Sequence, residues 1–284
     1  MTLKSGTILG ERYRVEQWLA RGGFGDVYLV KHVKLDIALA AKVLSAPLIG
    51  DSKVTAQFEK EARTAAKLAG KHVVKVQDIG EDPVNGPFLI MELLEGRTLS
   101  DELKAQRDGC LPRGAVHTIF AQLGQALGQA HRQGVVHRDL TPANIFLACD
   151  DLGTSVVKLL DFGLAKLLDE QASSHLSRAM GTPSFAAPEQ LCTNLGPVNT
   201  FTDVWALGLL AYFCLTGKHY WPTANSNSSI AGDVIREVLT GPSVKASVRA
   251  SEQGVADRLP PNFDPWFARC VNLDSAERFD EAKA

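Results

Sequence analysis

A change of hydrophobic period near Leu94 and Glu95 constrains this chain more than any other feature of its sequence. Before it, short β-rich stretches alternate with turns: Tyr13 to Trp18, Val27 to Val33, Ile37 to Leu44, Val73 to Ile79 and Phe88 to Leu93, bounded by Gly, Pro and Asn. Only Lys53 to Leu68 reads as a helix there. After the change helical spacing dominates, most clearly over Pro112 to Gln133, where Val116, Ile119, Phe120, Leu123, Leu127 and Ala130 recur on one face. Strands collected at one end and helices at the other predict an α+β chain, with a small antiparallel sheet and one main helix over 1–94 and a larger, mostly α-helical lobe over 95–284. Gly124 and Gly128 in the long helix read as close-packing positions. Thr223 to Ser229 and Gly241 to Pro261 read as surface loops around a short helix at Ile230 to Leu239.

Composition narrows the function classes. With 284 residues, 45% hydrophobic and 22% charged, the chain can enclose a substantial core, which excludes disorder as its main character. Thirty Lys plus Arg against 32 Asp plus Glu leave a formal charge of −2, so nothing in the balance calls for nucleic acid or an anionic membrane. The cysteines Cys110, Cys149, Cys192, Cys214 and Cys270 are scattered and odd in number, a pattern of reduced thiols and a cytoplasmic location. The N-terminal MTLKSGTILG lacks a secretory apolar stretch. The longest apolar run, Trp205 to Leu215, falls short of the roughly 18–20 residues that cross a bilayer, so no direct membrane insertion is expected.

Three segments carry chemistry. Ala20-Arg21-Gly22-Gly23-Phe24-Gly25-Asp26-Val27 is a turn between two strand candidates, where missing Cβ atoms let backbone N–H groups approach a phosphate. It leads from strand to strand, which argues for a flap over phosphates and against a Rossmann or Walker loop. Lys42 stands among small apolar residues on a following strand, and Glu61 on the helical segment could neutralise it. After the long helix come His137-Arg138-Asp139-Leu140-Thr141-Pro142-Ala143-Asn144 and then, beyond the apolar strand Val156 to Leu160, Asp161-Phe162-Gly163. A carboxylate, an amide five positions later and a second carboxylate at a strand end supply one base and two oxygen ligands for a hard cation such as Mg²⁺.

In this order the residues resemble the eukaryotic-like serine/threonine protein kinase family, from about Arg12 to Phe279. The resemblance implies a bilobal protein-kinase-like fold and ATP-dependent phosphoryl transfer to Ser or Thr hydroxyls of protein substrates, with Mg²⁺ as cofactor and Mn²⁺ as an alternative ion. It implies a glycine-rich loop at Leu19 to Val27 (Leu19, Ala20, Gly22, Gly23, Phe24, Gly25 and Val27), phosphate contacts from Lys42, and Glu61 orienting Lys42. Asp139 is then the catalytic base, and Asn144 and Asp161 hold the metal. Met91 is the implied gatekeeper, the backbones of Glu92 and Leu94 read adenine, Val27 and Ala40 roof the ring and Phe146 lies beneath it. Val76, Ala65, Phe162 and His137 match the family's packing stack between lobes. Gly181 to Gln190, GTPSFAAPEQ, resembles the substrate-facing loop and its Ala187-Pro188-Glu189 anchor, with Arg278 as buried partner of Glu189. Asp203 to Gly208 resembles the start of the central buried helix.

Arg138 and Lys166 match a basic pocket that receives a phosphorylated activation segment in many relatives. Ser173, Ser174 and Ser177 are the candidate phosphosites, with a transient homodimer as the arrangement for autophosphorylation. Thr182 is expected to contact Asp139. The chain departs from the family pattern at Ala20, where the first loop glycine stands, and at Thr141, where a lysine meets the γ-phosphate in serine/threonine kinases. These departures raise a rival reading, a pseudokinase that binds nucleotide and recruits partners. Retention of Lys42, Glu61, Asp139, Asn144 and Asp161 favours the enzyme. A small-molecule kinase of similar fold is disfavoured by Gly181 to Glu189.

Overall fold

Alternating burial along the first strands decides the architecture of one of the two units into which the chain divides, Met1–Glu95 and Gly96–Ala284. The computed structural model describes residues 2–22, 25–45, 52–68, 70–149, 153, 155–161, 183–226, 230–280 and 282. In the first unit β1 (Ile8–Leu9), β2 (Tyr13–Arg21), β3 (Gly25–His32), β4 (Ala38–Leu44), β5 (Val76–Asp82) and β6 (Gly86–Met91) form an antiparallel sheet in the order β1-β2-β3-β4-β6-β5. Tyr13 and Val15, Tyr28 and Val30, and Leu39, Ala41 and Val43 fall at every second position and pack with Phe88 and Ile90 on one face. Strand β4 is buried on both faces, so Ala40, Lys42 and Leu44 point the other way and are equally enclosed. Helix α1 (Ser52–Lys67) follows β4 and buries Val54, Phe58 and Ala62 at four-residue spacing while packing on β5 and β6.

The expected segment Val73 to Ile79 is displaced to Val76–Asp82. Val73 and Val74 are buried ahead of the strand, and its end is fixed by chemistry that hydrophobicity does not register. The Asp82 carboxylate accepts N–H bonds from Val84 and Asn85 across the hairpin turn and from Gly10 on the neighbouring chain segment. Those bonds hold the Asp82 carboxyl below its usual range against the opposing effect of burial, which is the largest single influence.

In the second unit β7 (Gly96–Thr98) leads into α2 (Leu99–Ala105), capped by Thr98, whose hydroxyl accepts the Asp101 N–H. Helix α3 (Arg113–Arg132) buries Val116, Ile119, Leu123, Leu127 and Ala130 of the expected face, with Gly124 and Gly128 inside it, while Phe120 is half-buried. A 3₁₀ turn at Pro142–Asn144 precedes β8 (Ile145–Cys149), and β7, β8 and β9 (Ser155–Leu159) pair as a three-stranded antiparallel sheet. Then follow α4 (Pro188–Leu191), α5 (Thr200–Thr216), α6 (Ala231–Thr240), α7 (Ala246–Glu252) and α8 (Phe263–Cys270). Helix α5 is enclosed almost all round, which explains its long apolar run after Asp203, and it packs against α3 and α8. Its first turn is capped by the Asn199 side chain, and it stops at Gly217 in the left-handed region at φ 71°. At Gly208 there is no room for a side chain against α8: a Cβ there would lie 2.6 Å from Cys270 Cβ.

The α+β class is as expected. The span Gly241 to Pro261, expected as open loop, instead contains α7 and a 3₁₀ turn at Ala256–Arg258, with Ala246, Ala250, Val255 and Leu259 buried. Two alanines four apart carry too little hydrophobic contrast to mark a helix face in sequence. Among the described residues no helix is long and apolar enough to cross a membrane, and Cys110, Cys149, Cys192, Cys214 and Cys270 are free thiols.

Candidate active site

In the first unit the glycine turn connects β2 to β3, with Ala20 opposite Val27 and Arg21 opposite Asp26. Gly22 donates its N–H to Gly25 O at 2.8 Å, closing the turn; Gly23 and Phe24 lie outside the described residues. The Arg21 guanidinium, 2.9 Å from Asp26, holds that carboxyl below its usual range, and the Trp18 indole N–H adds to the effect at 3.2 Å. Gly25 is required by a neighbour: a Cβ there would come within 2.0 Å of the Val43 carbonyl oxygen on β4. The last part of the turn is therefore pressed against the strand that carries Lys42.

Lys42 is 1% exposed, between Val27 of β3 and Leu89 of β6. A buried ammonium in such a place is a constrained, directed charge. Glu61 lies on α1; its side chain is outside the described residues. Ala40, buried, pairs with Met91 at the end of β6. Beyond Met91 the Glu92 N–H donates to Lys75 O at 2.9 Å and the Glu92 carboxylate accepts the Lys75 N–H at 2.7 Å, so the exit of β6 is tied back before the chain reaches Leu94. Leu19 is exposed on β2.

In the second unit the segment His137 to Asn144 is built around one buried carboxylate. Asp203 on α5 is 1% exposed and accepts the N–H groups of His137 and Arg138, both at 2.9 Å, while His131 Nε2 at the end of α3 lies 2.7 Å from its Oδ2. His137 is fully buried, with Nε2 2.9 Å from Leu160 O, so it packs and orients. Arg138 adopts φ 69°, a left-handed conformation unfavourable to a long side chain and held by its neighbours.

Asp139 and Asn144 are brought together by the turn between them. Asn144 Nδ2 donates to Asp139 O and to Asp139 Oδ2, both at 2.8 Å, and its N–H donates to Thr141 O at 3.0 Å. The Asn144 carbonyl in turn accepts the Leu160 N–H at 2.9 Å, placing Asp161, at φ 53°, one residue beyond that tether. A carboxylate, an amide and a second carboxylate are thus ordered around one loop, each partly exposed. Phe146 follows on β8, paired with Thr98 and Lys158.

Glu189 and Arg278 meet as expected: both are buried and form a bidentate pair at 2.7 and 3.0 Å. Burial by itself would raise the Glu189 pKa, but the Arg278 hydrogen bonds and charge, with the Thr202 hydroxyl at 2.8 Å, hold it below the usual carboxylate range. Phe162, Lys166, Ser173, Ser174, Ser177 and Thr182 lie outside the described residues.

Sequence reading did not single out the supporting roles of Asp203, His131 and Gln190. A signal existed for Asp203: it is the one charged residue in the otherwise apolar helix Thr200–Thr216, and a charge carried into a core needs partners.

Comparison with known proteins places this geometry among relatives. Residues 13–283 match the protein kinase domain family. The serine/threonine-protein kinase PknL of Mycobacterium tuberculosis is 36% identical over 277 residues, covering 98% of this chain and 64% of that protein. The serine/threonine-protein kinase Pkn1 of Myxococcus xanthus is 37% identical over 238 residues, covering 83% of this chain and 33% of that protein. The chain thus spans less than two thirds of the length of these curated relatives. The crystal structure of the Mycobacterium tuberculosis PknI kinase domain superposes with a TM-score of 0.72 at 26% identity, covering 100% of this chain and 96% of that one.

Proposed function

Since the chain belongs to the protein kinase domain family, we propose that it transfers the γ-phosphoryl group of Mg²⁺-ATP to Ser or Thr hydroxyls of proteins, itself included. The observation that carries this reading is the Asp139–Asn144 pair at 2.8 Å, with Asp161 one residue past Leu160, whose N–H is tethered to the Asn144 carbonyl. Asp139 accepts or orients the proton of the attacking hydroxyl, and the Asn144 amide fixes the rotamer in which it does so. Lys42 is the cation for the α- and β-phosphates, oriented by Glu61. The glycine turn from Leu19 to Val27 covers the phosphates. Val27, Ala40 and Phe146 contact the adenine, Met91 is gatekeeper, and the backbones of Glu92 and Leu94 read the base edge.

The donor set fits a hard divalent ion. Because Asn144 Nδ2 is turned to Asp139, its Oδ1 lies on the other edge of the amide, where it can serve with the Asp161 carboxylate. Mg²⁺ ordinarily takes one or two protein oxygens and completes its shell with water and phosphate oxygens, and Mn²⁺ accepts the same ligands. When bound, the ion neutralises charge on the phosphates.

A pseudokinase would have no use for the base together with both metal ligands, so Thr141 and Ala20 are read as changes of rate within an enzyme. A cytoplasmic signalling role, substrate Ser/Thr acceptors in other proteins, an activation segment phosphorylated at Ser173, Ser174 or Ser177 beside Arg138 and Lys166, and a transient homodimer for that step complete the proposal. Transfer of radiolabelled phosphate to a generic basic protein tests it, with Asp139→Asn expected to abolish the signal. Equal labelling by wild type and variant would defeat the reading.

A further inference from the structure

Asp203 explains only half of how the residue preceding Asp139 is held. The N–H of Arg138 is bound to Asp203 Oδ1 at 2.9 Å. Its carbonyl oxygen is bound from elsewhere, by Gln190 Nε2 of α4 at 2.6 Å. The two bonds grip the same residue on its two polar groups, and that residue is the one held at φ 69°. The Arg138 N–H belongs to the peptide unit before Arg138 and its carbonyl to the unit that leads into Asp139, so of the two bonds it is the Gln190 bond that acts on the latter.

We propose that Gln190 is a positioning residue for Asp139: its carboxamide clamps the Arg138 carbonyl and so sets the direction in which the Asp139 carboxylate leaves the backbone. This rests on the reading of Asp139 as the catalytic base. The side chain has two separable duties. Gln190 Oε1 accepts the Ala187 N–H at 3.0 Å, capping the start of α4, while Nε2 donates to Arg138 O. The donor half has no part in holding α4 together. Next to Gln190 in sequence, Glu189 is locked to Arg278 and Thr202, so the helix that presents the carboxamide is itself anchored in the core. The clamp therefore joins the catalytic loop to a buried ion pair through a single side chain. A donor lost from such an assembly lets the Arg138–Asp139 peptide rotate toward a relaxed conformation, and misplacing a catalytic group by about 1 Å costs on the order of a hundredfold in rate.

The clamp can be tested without removing the cap, because Gln190→Glu keeps an oxygen for the Ala187 N–H and replaces only the donor, while Gln190→Met removes both. Three quantities are compared with wild type: kcat and KM for ATP in phosphate transfer, thermal unfolding, and amide hydrogen exchange of the His137 to Leu140 segment. Gln190→Glu is expected to lower kcat by roughly ten- to a hundredfold with KM for ATP within about twofold and Tm close to wild type. Its His137 to Leu140 amides are expected to exchange faster. Gln190→Met is expected to show the same kcat loss with a lower Tm. Unchanged kcat and unchanged exchange in Gln190→Glu would overturn the proposal, as would a kcat loss appearing only in proportion to lost stability across the two variants. Should wild type transfer no phosphate while Gln190→Glu still accelerates exchange in this segment, the kinase reading falls and the clamp stands.

Discussion

Removing Arg278 should damage the second unit far more than a surface substitution, and the structure gives the scale. The guanidinium is 0% exposed and donates to Glu189 Oε1 and Oε2, to Asn272 O at 2.8 Å and to Phe201 O at 3.0 Å, with Trp205 facing it at 5.0 Å. Arg278→Met keeps much of the volume but leaves a carboxylate buried with the Thr202 hydroxyl as its remaining side-chain donor among the described residues. Breaking a buried pair in this way costs about 3–5 kcal/mol. For a cooperative unit of this size each kcal/mol lowers Tm by about 2–4 °C, so a fall of about 6–20 °C is expected by calorimetry. The double variant Glu189→Gln, Arg278→Met should lose less than the sum of the two single losses, because the uncompensated charge is gone. The acid side carries a sign of its own. Glu189 is held below its ordinary range in the folded state, so the pair contributes stability above that range and loses it as pH falls through the depressed folded value. In Arg278→Met that acid-side loss should disappear. An Arg278→Met protein within about 1 kcal/mol of wild type, or strictly additive losses, would refute the reasoning.

Other outcomes follow from individual contacts. Gly208→Ala drives a Cβ to 2.6 Å from Cys270 Cβ between α5 and α8, and chemical denaturation should show a loss of about 1–3 kcal/mol; no loss would mean that the helices separate freely there. His219 stacks on Phe213 at 4.5 Å, and burial lowers its pKa to about 4. The unfolded chain therefore takes up a proton that the folded one refuses as pH falls from about 6.5 to about 4, and stability drops across that window by up to about 3 kcal/mol. His219→Phe should flatten the slope there, and an identical slope would remove His219 as its source. Thr141→Lys adds a cation two residues after Asp139 and is expected to raise kcat for phosphate transfer severalfold, measured at saturating ATP; an unchanged or lower kcat would show that the site already manages the γ-phosphate charge by other means.

Sequence and structure agree where a local rule suffices. The alternating strand at Tyr13–Val15, the continuously buried strand Leu39–Leu44 and the one-sided helix Arg113–Arg132 were legible because each follows a local hydrophobic pattern. The Glu189–Arg278 pair followed from the family resemblance. Less legible was whatever depends on distant polar bonds. The end of β5 is set by the Asp82 carboxylate, and α7 hides behind Ala246 and Ala250, whose burial reflects neighbours and not intrinsic hydrophobicity. In the site, the residue types of Asp139, Asn144 and Asp161 announced their chemistry. The groups that aim them did not: Asp203 and Gln190 are separated from Arg138 by 65 and 52 positions and His131 from Asp203 by 72, and nothing in their own surroundings names those targets. A polar residue in an apolar helix signals that a partner exists without saying which one.

Phosphoryl transfer by this chain is decided by the intact mass of the purified protein after incubation with Mg²⁺ and ATP. Wild type is expected to gain phosphate on Ser or Thr residues and Asp139→Asn to gain none. An unaltered wild-type mass, under conditions where ATP is bound, would contradict it.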